Sequence, residues 1–323
     1  MKLFRLLSTQ LGPLTLLGAV VAYFYPPAFL VFADTFLWFF AATMLALGIV
    51  LEPEDLKRTL EHPHRVLLGV LTQYTVMPLL GYAIAVVSGF PPELALGFVI
   101  VGAAPGAMAS NVIVYLAGGA LGFSIAMTTV ATFLSPLLTP ILVQWLGGAF
   151  MPVAFWPLFV TIVWTVLVPL LLGMGARRML GKSLNRAEQI CPAVAAVAIV
   201  IICSYAVAAN QPRIATVGPS VFGYVVLVNA LGYLLGWNLA KLYRFDDRHR
   251  LALSIEIGMQ NAGLGVALAL SHFGPETALP GALFAAWCIL TAAGVSAFLR
   301  WSRERHAISR SEQHQKRGQV PFC

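Results

Sequence analysis

LALSIEIGMQNAGLGVALALS (251–271) is apolar at both ends, but its middle carries Glu256, Gly258, Gln260, Asn261, Gly263 and Gly265. A run this apolar reads as a helix in lipid, where a carboxylate costs at least about 2.5–3.5 kcal/mol on insertion scales. Glu256 must therefore be compensated, by a proton or by a cation. A second stretch, GFVIVGAAPGAMASNVIVYLAGG (97–119), is interrupted in the same way by Gly102, Pro105 and Gly106, with Ser110 and Asn111 just beyond. Proline removes a backbone donor and clashes with the preceding turn, and glycine makes an unwound stretch accessible. Two interrupted apolar segments in corresponding halves of a chain are the sequence pointer to a transporter's binding site.

The rest of the chain fits that frame. Only 10% of the 323 residues are charged and 59% are hydrophobic, whereas a soluble domain carries about 25% charged residues. Ten apolar segments fall near 11–25, 34–51, 65–88, 93–117, 121–146, 153–176, 190–209, 217–243, 251–271 and 280–300. Lipid offers the backbone no partners, so each is expected to be helical. With both ends placed in the cytoplasm, nineteen of the twenty Lys and Arg residues fall in inside segments, and only Arg213 falls outside. The positive-inside rule thus supports ten spans with both termini cytoplasmic. Ten divides into two sets of five, and an odd number of spans per repeat inverts the second repeat. Leu80-Gly81-Tyr82 and Leu231-Gly232-Tyr233 echo one another faintly across the halves. The expected fold is all-α and polytopic, with two inverted five-helix repeats whose fourth and ninth helices are discontinuous.

Several function classes are excluded. The net charge of +7 lies in short loops and not on a basic face interleaved with aromatics, which argues against nucleic acid. The four cysteines show no CxxC or Cys/His spacing, so no zinc site or disulfide framework is expected. No HExxH occurs, and Cys288 has no His or Asp partner in sequence. An intramembrane enzyme therefore lacks its parts, and no cofactor is implied. The tail, residues 301–323, is basic and polar and reads as a cytoplasmic end drawn to anionic membrane lipid.

The intramembrane polar residues are Gln73, Ser110, Asn111, Ser124, Thr128, Glu256, Gln260 and Asn261. Ser124 and Thr128, four apart, share a helix face. All can offer oxygen, and none is a soft or nitrogen ligand. That chemistry suits a hard cation such as sodium and not a transition metal. A proton carrier using Glu256 alone is the alternative, and it leaves the amides and hydroxyls without a role.

ASNVIVYLAGG (109–119), SPLLTP (135–140), EIGMQNAGL (256–264) and PGALF (280–284) resemble the bile acid:sodium symporter family, along essentially the whole chain. The resemblance implies sodium-coupled symport of a small organic anion across a bacterial inner membrane. It also implies a panel domain (1–63, helices 1–2, and 148–216, helices 6–7) and a core domain (64–147, helices 3–5, and 217–300, helices 8–10) in which the discontinuous helices 4 and 9 cross. One sodium site would use Ser110, Asn111, Ser124, Thr128 and Glu256. A second would use Gln73, Glu256, Gln260 and the carbonyls of Ile257 and Met259. Substrate would meet Asn261, Ala107, Met108, Cys288 and Ile289. Here the sequence departs from the family's pattern: Met108 stands where bacterial members often carry Thr, and Cys288-Ile289 where they often carry His-Asn. The expected pocket is more apolar.

Overall fold

The computed structural model describes residues 11–51, 63–288, 290–291 and 294. Among them the secondary structure is helical, with no extended strand. The basic residues Lys2, Arg5, Lys57 and Arg58, the tail 301–323, and Ile289 lie outside the described residues. The helices are α1 (Leu11–Phe24), α2 (Phe36–Val50), α3 (Pro63–Ser88), α4 (Pro92–Ala103), α5 (Ala109–Leu116) and α6 (Leu121–Leu142). They continue with α7 (Phe155–Ile162), α8 (Val168–Leu180), α9 (Leu184–Ala209), α10 (Gln211–Leu242), α11 (Asp247–Gly258) and α12 (Ala262–His272). A last helix, α13, starts at residue 275. Wider π turns extend α6 at Val143–Gly147 and join α7 to α8 at Val163–Leu167.

Five of these stretches are long and apolar enough to cross a bilayer: Pro63–Ser88, Leu121–Gly147, Phe155–Leu180, Leu184–Ala209 and Gln211–Leu242. Shorter apolar helices accompany them, among them Pro92–Ala103 and Ala262–His272, each one half of an interrupted segment. This is the helix set of a polytopic membrane protein.

Several boundaries differ from the sequence reading; α9, for one, begins at Leu184 and not near 190. α10 begins at Gln211, not near 217, and α13 begins at 275, not near 280. Arg213 and Glu276, near these last two helix starts, form an ion pair with each other. Each helix also has an early proline, Pro212 and Pro275, at a position where the missing N–H costs nothing.

Packing divides the helices. α9 lies along α1 and α2, and α2 lies along α8. The α2–α8 contact is made at bare backbone: a Cβ on Gly48 would meet the Leu170 carbonyl, and one on Gly173 the Leu45 carbonyl. Small residues let helices approach where lipid supplies no hydrophobic drive. A second set gathers around α3, which packs on α4, α6 and α10, while α10 packs on α11. α12 touches both sets, through α4 on one side and α2, α7 and α9 on the other.

Candidate functional site

The two interrupted segments meet. Pro105 biases the residue before it toward extended backbone, and Ala104 accordingly sits at φ −69°, ψ 153°. The other break opens at Met259, also extended at φ −110°, ψ 103°. The two loops run antiparallel. Ala107 N–H donates to the Met259 carbonyl at 2.9 Å, and Asn261 N–H donates to the Pro105 carbonyl at 2.8 Å. Gly106 pairs with Gln260 as an isolated β-bridge. Backbone groups released by each broken helix are thus satisfied by the other, as a dry interior requires.

Glu256 lies in the last turn of α11 with its side chain fully buried. The helix dipole is unfavourable to an anion there. Ser110 Oγ donates to its Oε1 at 2.5 Å, Ser124 Oγ donates to the same oxygen, and Thr128 Oγ1 donates to Oε2 at 2.8 Å. Asn111 Oδ1 completes the group, 2.7 Å from Ser124 Oγ and 3.5 Å from Thr128 Oγ1. Ser110 and Asn111 come from α5, Ser124 and Thr128 from α6, and Glu256 from α11. Gly106 keeps room for the carboxylate, since a Cβ there would lie 2.9 Å from Glu256 Oε2.

The oxygens outnumber the protons. The three hydroxyls have one hydrogen each, yet together they make six short contacts to oxygen, counting the Thr128 hydroxyl on the Ser124 carbonyl. Among the described residues no basic side chain forms an ion pair with Glu256. The result is a cluster of oxygen ligands with unspent lone pairs around a buried carboxylate.

Beside it lies an amide pair. Gln73 Nε2 donates to Gln260 Oε1 at 2.7 Å and to the Ala104 carbonyl at 3.3 Å, and Gln260 Nε2 donates to the Ile257 carbonyl at 2.9 Å. Gln73 Oε1 is buried without a hydrogen-bond partner among the described residues. No hydrogen bond joins this pair directly to Glu256 among the described residues. The Met259 carbonyl already accepts from Ala107 and keeps a second lone pair.

The residues expected at the substrate are less closely gathered. Asn261 is half-buried, and its Oδ1 caps α12 by accepting from Leu264 N–H at 3.1 Å. Ala107 and Met108 lie in the other break, half-buried, with Met108 at the N-cap of α5. Cys288 is buried in α13, its Sγ donating to the Ala285 carbonyl at 3.6 Å.

Two residues not singled out from sequence hold the breaks. Thr139 of α6 donates to the Ala103 carbonyl at 2.8 Å, at the end of α4. Asn229 of α10 donates to the Gly258 carbonyl at 2.8 Å, at the end of α11. Thr139 lay within the SPLLTP string, but nothing local in sequence ties it to a helix end 36 residues away.

A family model described as the Sodium Bile acid symporter family matches residues 37–217, more than half of the chain. Among relatives, the uncharacterized sodium-dependent transporter YocS of Bacillus subtilis is 35% identical over 303 residues, 94% of each chain. A probable sodium/metabolite cotransporter of rice chloroplasts, BASS1, is 36% identical over 290 residues, 87% of this chain and 71% of that protein. A second rice chloroplast relative, the probable sodium/metabolite cotransporter BASS2, is 30% identical over 302 residues.

Proposed function

From the premise that this chain belongs to the sodium bile acid symporter family, and is a membrane transporter and not an enzyme, we propose that it is a sodium-coupled symporter of an organic anion. Two sodium ions bind at the broken helices. The first takes Ser110, Asn111, Ser124, Thr128 and Glu256. The second takes Gln73, Gln260, Glu256 and the carbonyls of Ile257 and Met259. The observation that carries this reading is a fully buried carboxylate among hydroxyl and amide oxygens, with no basic partner among the described residues. Sodium, a hard ion, is matched by oxygen ligands. The unpartnered Gln73 Oε1 supports the second site, where it has a ligand's role.

The substrate is a monovalent organic anion with an apolar body, bile-acid-like or a smaller carboxylate. Its charge sits where the half-helices α5 and α12 begin, facing their positive ends. Asn261, Ala107, Met108, Cys288 and Ile289 surround it. The panel is 1–63 with 148–216 and the core is 64–147 with 217–300, a division supported by the two packing sets. The core carries the site, and rocking of panel against core gives alternating access. The chain spans a bacterial inner membrane ten times, as two inverted five-helix repeats with both termini cytoplasmic.

Two sodium ions with one monovalent anion carry one positive charge inward. A tenfold sodium gradient contributes about 1.4 kcal/mol per ion, and a potential of about 100 mV adds about 2.3 kcal/mol. Together these give about 5 kcal/mol, an anion gradient of roughly several thousand-fold. A sodium-dependent thermal-shift screen of organic anions would identify the substrate. Its uptake into proteoliposomes will require sodium and accelerate when the interior is made negative. Uptake indifferent to sodium but driven by an imposed proton gradient would overturn the mechanism in favour of proton coupling at Glu256.

A further inference from the structure

We infer that Asn229 of α10 is a positioning residue for the second sodium site, fixing the peptide plane that separates two of its carbonyl ligands and tying that plane to α13. The inference rests on the ligand assignment proposed above.

The geometry is a three-helix relay. Asn229 is buried, its Nδ2 donates to the Gly258 carbonyl at 2.8 Å, and its Oδ1 accepts from Thr291 Oγ1 of α13 at 2.9 Å. The Gly258 carbonyl belongs to the peptide plane between Gly258 and Met259. The N–H of that same plane donates to the Ile255 carbonyl at 3.0 Å. Both polar ends of the plane are therefore held, one by α11 itself and the other by Asn229. On either side lie the planes that carry the Ile257 and Met259 carbonyls. Pinning the middle plane fixes ψ of Gly258 and φ of Met259, two of the soft dihedrals that set how the Met259 carbonyl is placed relative to the Ile257 carbonyl.

The surrounding contacts leave that job to a side chain. α10 approaches α11 through Gly232 and Gly236, where a Cβ would lie 3.2 Å from Gly258 Cα and 2.9 Å from Ser254 Cα. Ser254 Oγ donates to the Tyr233 carbonyl at 2.7 Å. Asn229 lies one turn from Gly232 on α10 and reaches past the close contact into the break. At the other break the Ala104 carbonyl is held by Gln73, itself an ion ligand in this reading. At α11 the ligand carbonyls and the anchor are separate residues, so Asn229 acts through the backbone and touches no ion.

The test uses the full purified chain in detergent, with melting temperature followed against sodium chloride and choline chloride holding ionic strength constant. The wild type gives a cooperative sodium response. Asn229→Leu, which fills the volume but lacks the donor, raises the sodium midpoint about tenfold and lowers the Hill coefficient toward one, because the hydroxyl-lined site is left intact. Thr291→Val shifts the midpoint less in the same direction, and Thr291→Ser restores it. A merely structural role predicts something else: Asn229→Leu lowers the melting temperature without sodium but leaves midpoint and cooperativity unchanged. That result overturns the inference. If Asn229→Leu does not fold, Thr291→Val decides, and a wild-type midpoint there overturns it equally. A wild type that does not respond to sodium overturns the sodium reading itself, before any variant is compared.

Discussion

Helix α11 carries a carboxylate near each end, and the two could hardly be placed more differently. Asp246 is the N-cap, 56% exposed, and accepts from the N–H groups of Arg248 and His249 at 3.1 and 3.2 Å. His249 Nδ1 lies 2.7 Å from its Oδ2 and Arg65 lies at 3.8 Å. It sits at the positive end of the helix, where an anion is favoured. Glu256 sits at the other end, fully buried, facing hydroxyls and an amide oxygen with no positive partner among the described residues. One carboxylate has its compensation built in and stabilises a helix end. The other has no such compensation among the described residues, and in the reading proposed above the coupling ion supplies it.

The sharpest way to break this contrast is Glu256→Gln, which keeps the shape and removes the charge. We expect it to abolish sodium stabilisation at both sites. A ligand at a hundred times its Kd stabilises by about 2.7 kcal/mol per site, so this is the largest effect expected. Without sodium the sign reverses: the variant should melt no lower than wild type, because an uncompensated buried charge has been removed. A Glu256→Gln protein that still gains stability from sodium would end the idea of a shared carboxylate.

Thr128→Ala and Gln73→Ala sharpen the comparison between the hydroxyl cluster and the amide pair. Each should raise the sodium midpoint by about tenfold, on the scale of one lost ligand or hydrogen bond, and leave the other site responsive. Calorimetric titration separates the two sites. If either substitution is as damaging as the loss of Glu256, the division into two sites joined by one carboxylate fails.

Much of the site was legible because its chemistry conflicts with its surroundings. Glu256, Gln260 and Asn261 stand out in an apolar run, and Pro105 with Gly106 beside it marks the break between α4 and α5. Asn229 and Thr139 were not legible. A lone Asn or Thr in a membrane helix has many uses, and the carbonyls they satisfy are orphaned by interruptions 29 and 36 residues away. The fold was legible in its segments but not at all of their ends. Arg213 read as a charge between spans, whereas it lies in the first turn of α10 and pairs with Glu276 of α13. The resemblance implied that the two broken helices cross, but their pairing as a short antiparallel ladder left no signal in the residues, since backbone bonds carry no residue signature.

The smallest effect belongs to Asp246, and its sign is opposite to that of Glu256 without sodium. Partial burial acts to raise its pKa, but the N–H and imidazole of His249 and the N–H of Arg248 outweigh it and hold the carboxyl below the usual Asp range. Its folded pKa is then lower than its unfolded one, about 3.9. Its contribution is present above that unfolded value and is lost as pH falls through the folded one. Arg65 in turn donates to His249 Nε2 at 3.2 Å, while Nδ1 of that ring lies 2.7 Å from Asp246 Oδ2. Asp246→Ala should cost about 1 kcal/mol at neutral pH, the size of a lost N-cap. Asp246→Asn keeps most of the cap and should flatten only the acid limb of the melting profile. Thermal melts of wild type and both variants from neutral to acid pH check this. An acid limb unchanged in Asp246→Asn would show that the carboxylate's charge does nothing for this helix end, and the contrast with Glu256 would then rest on burial alone.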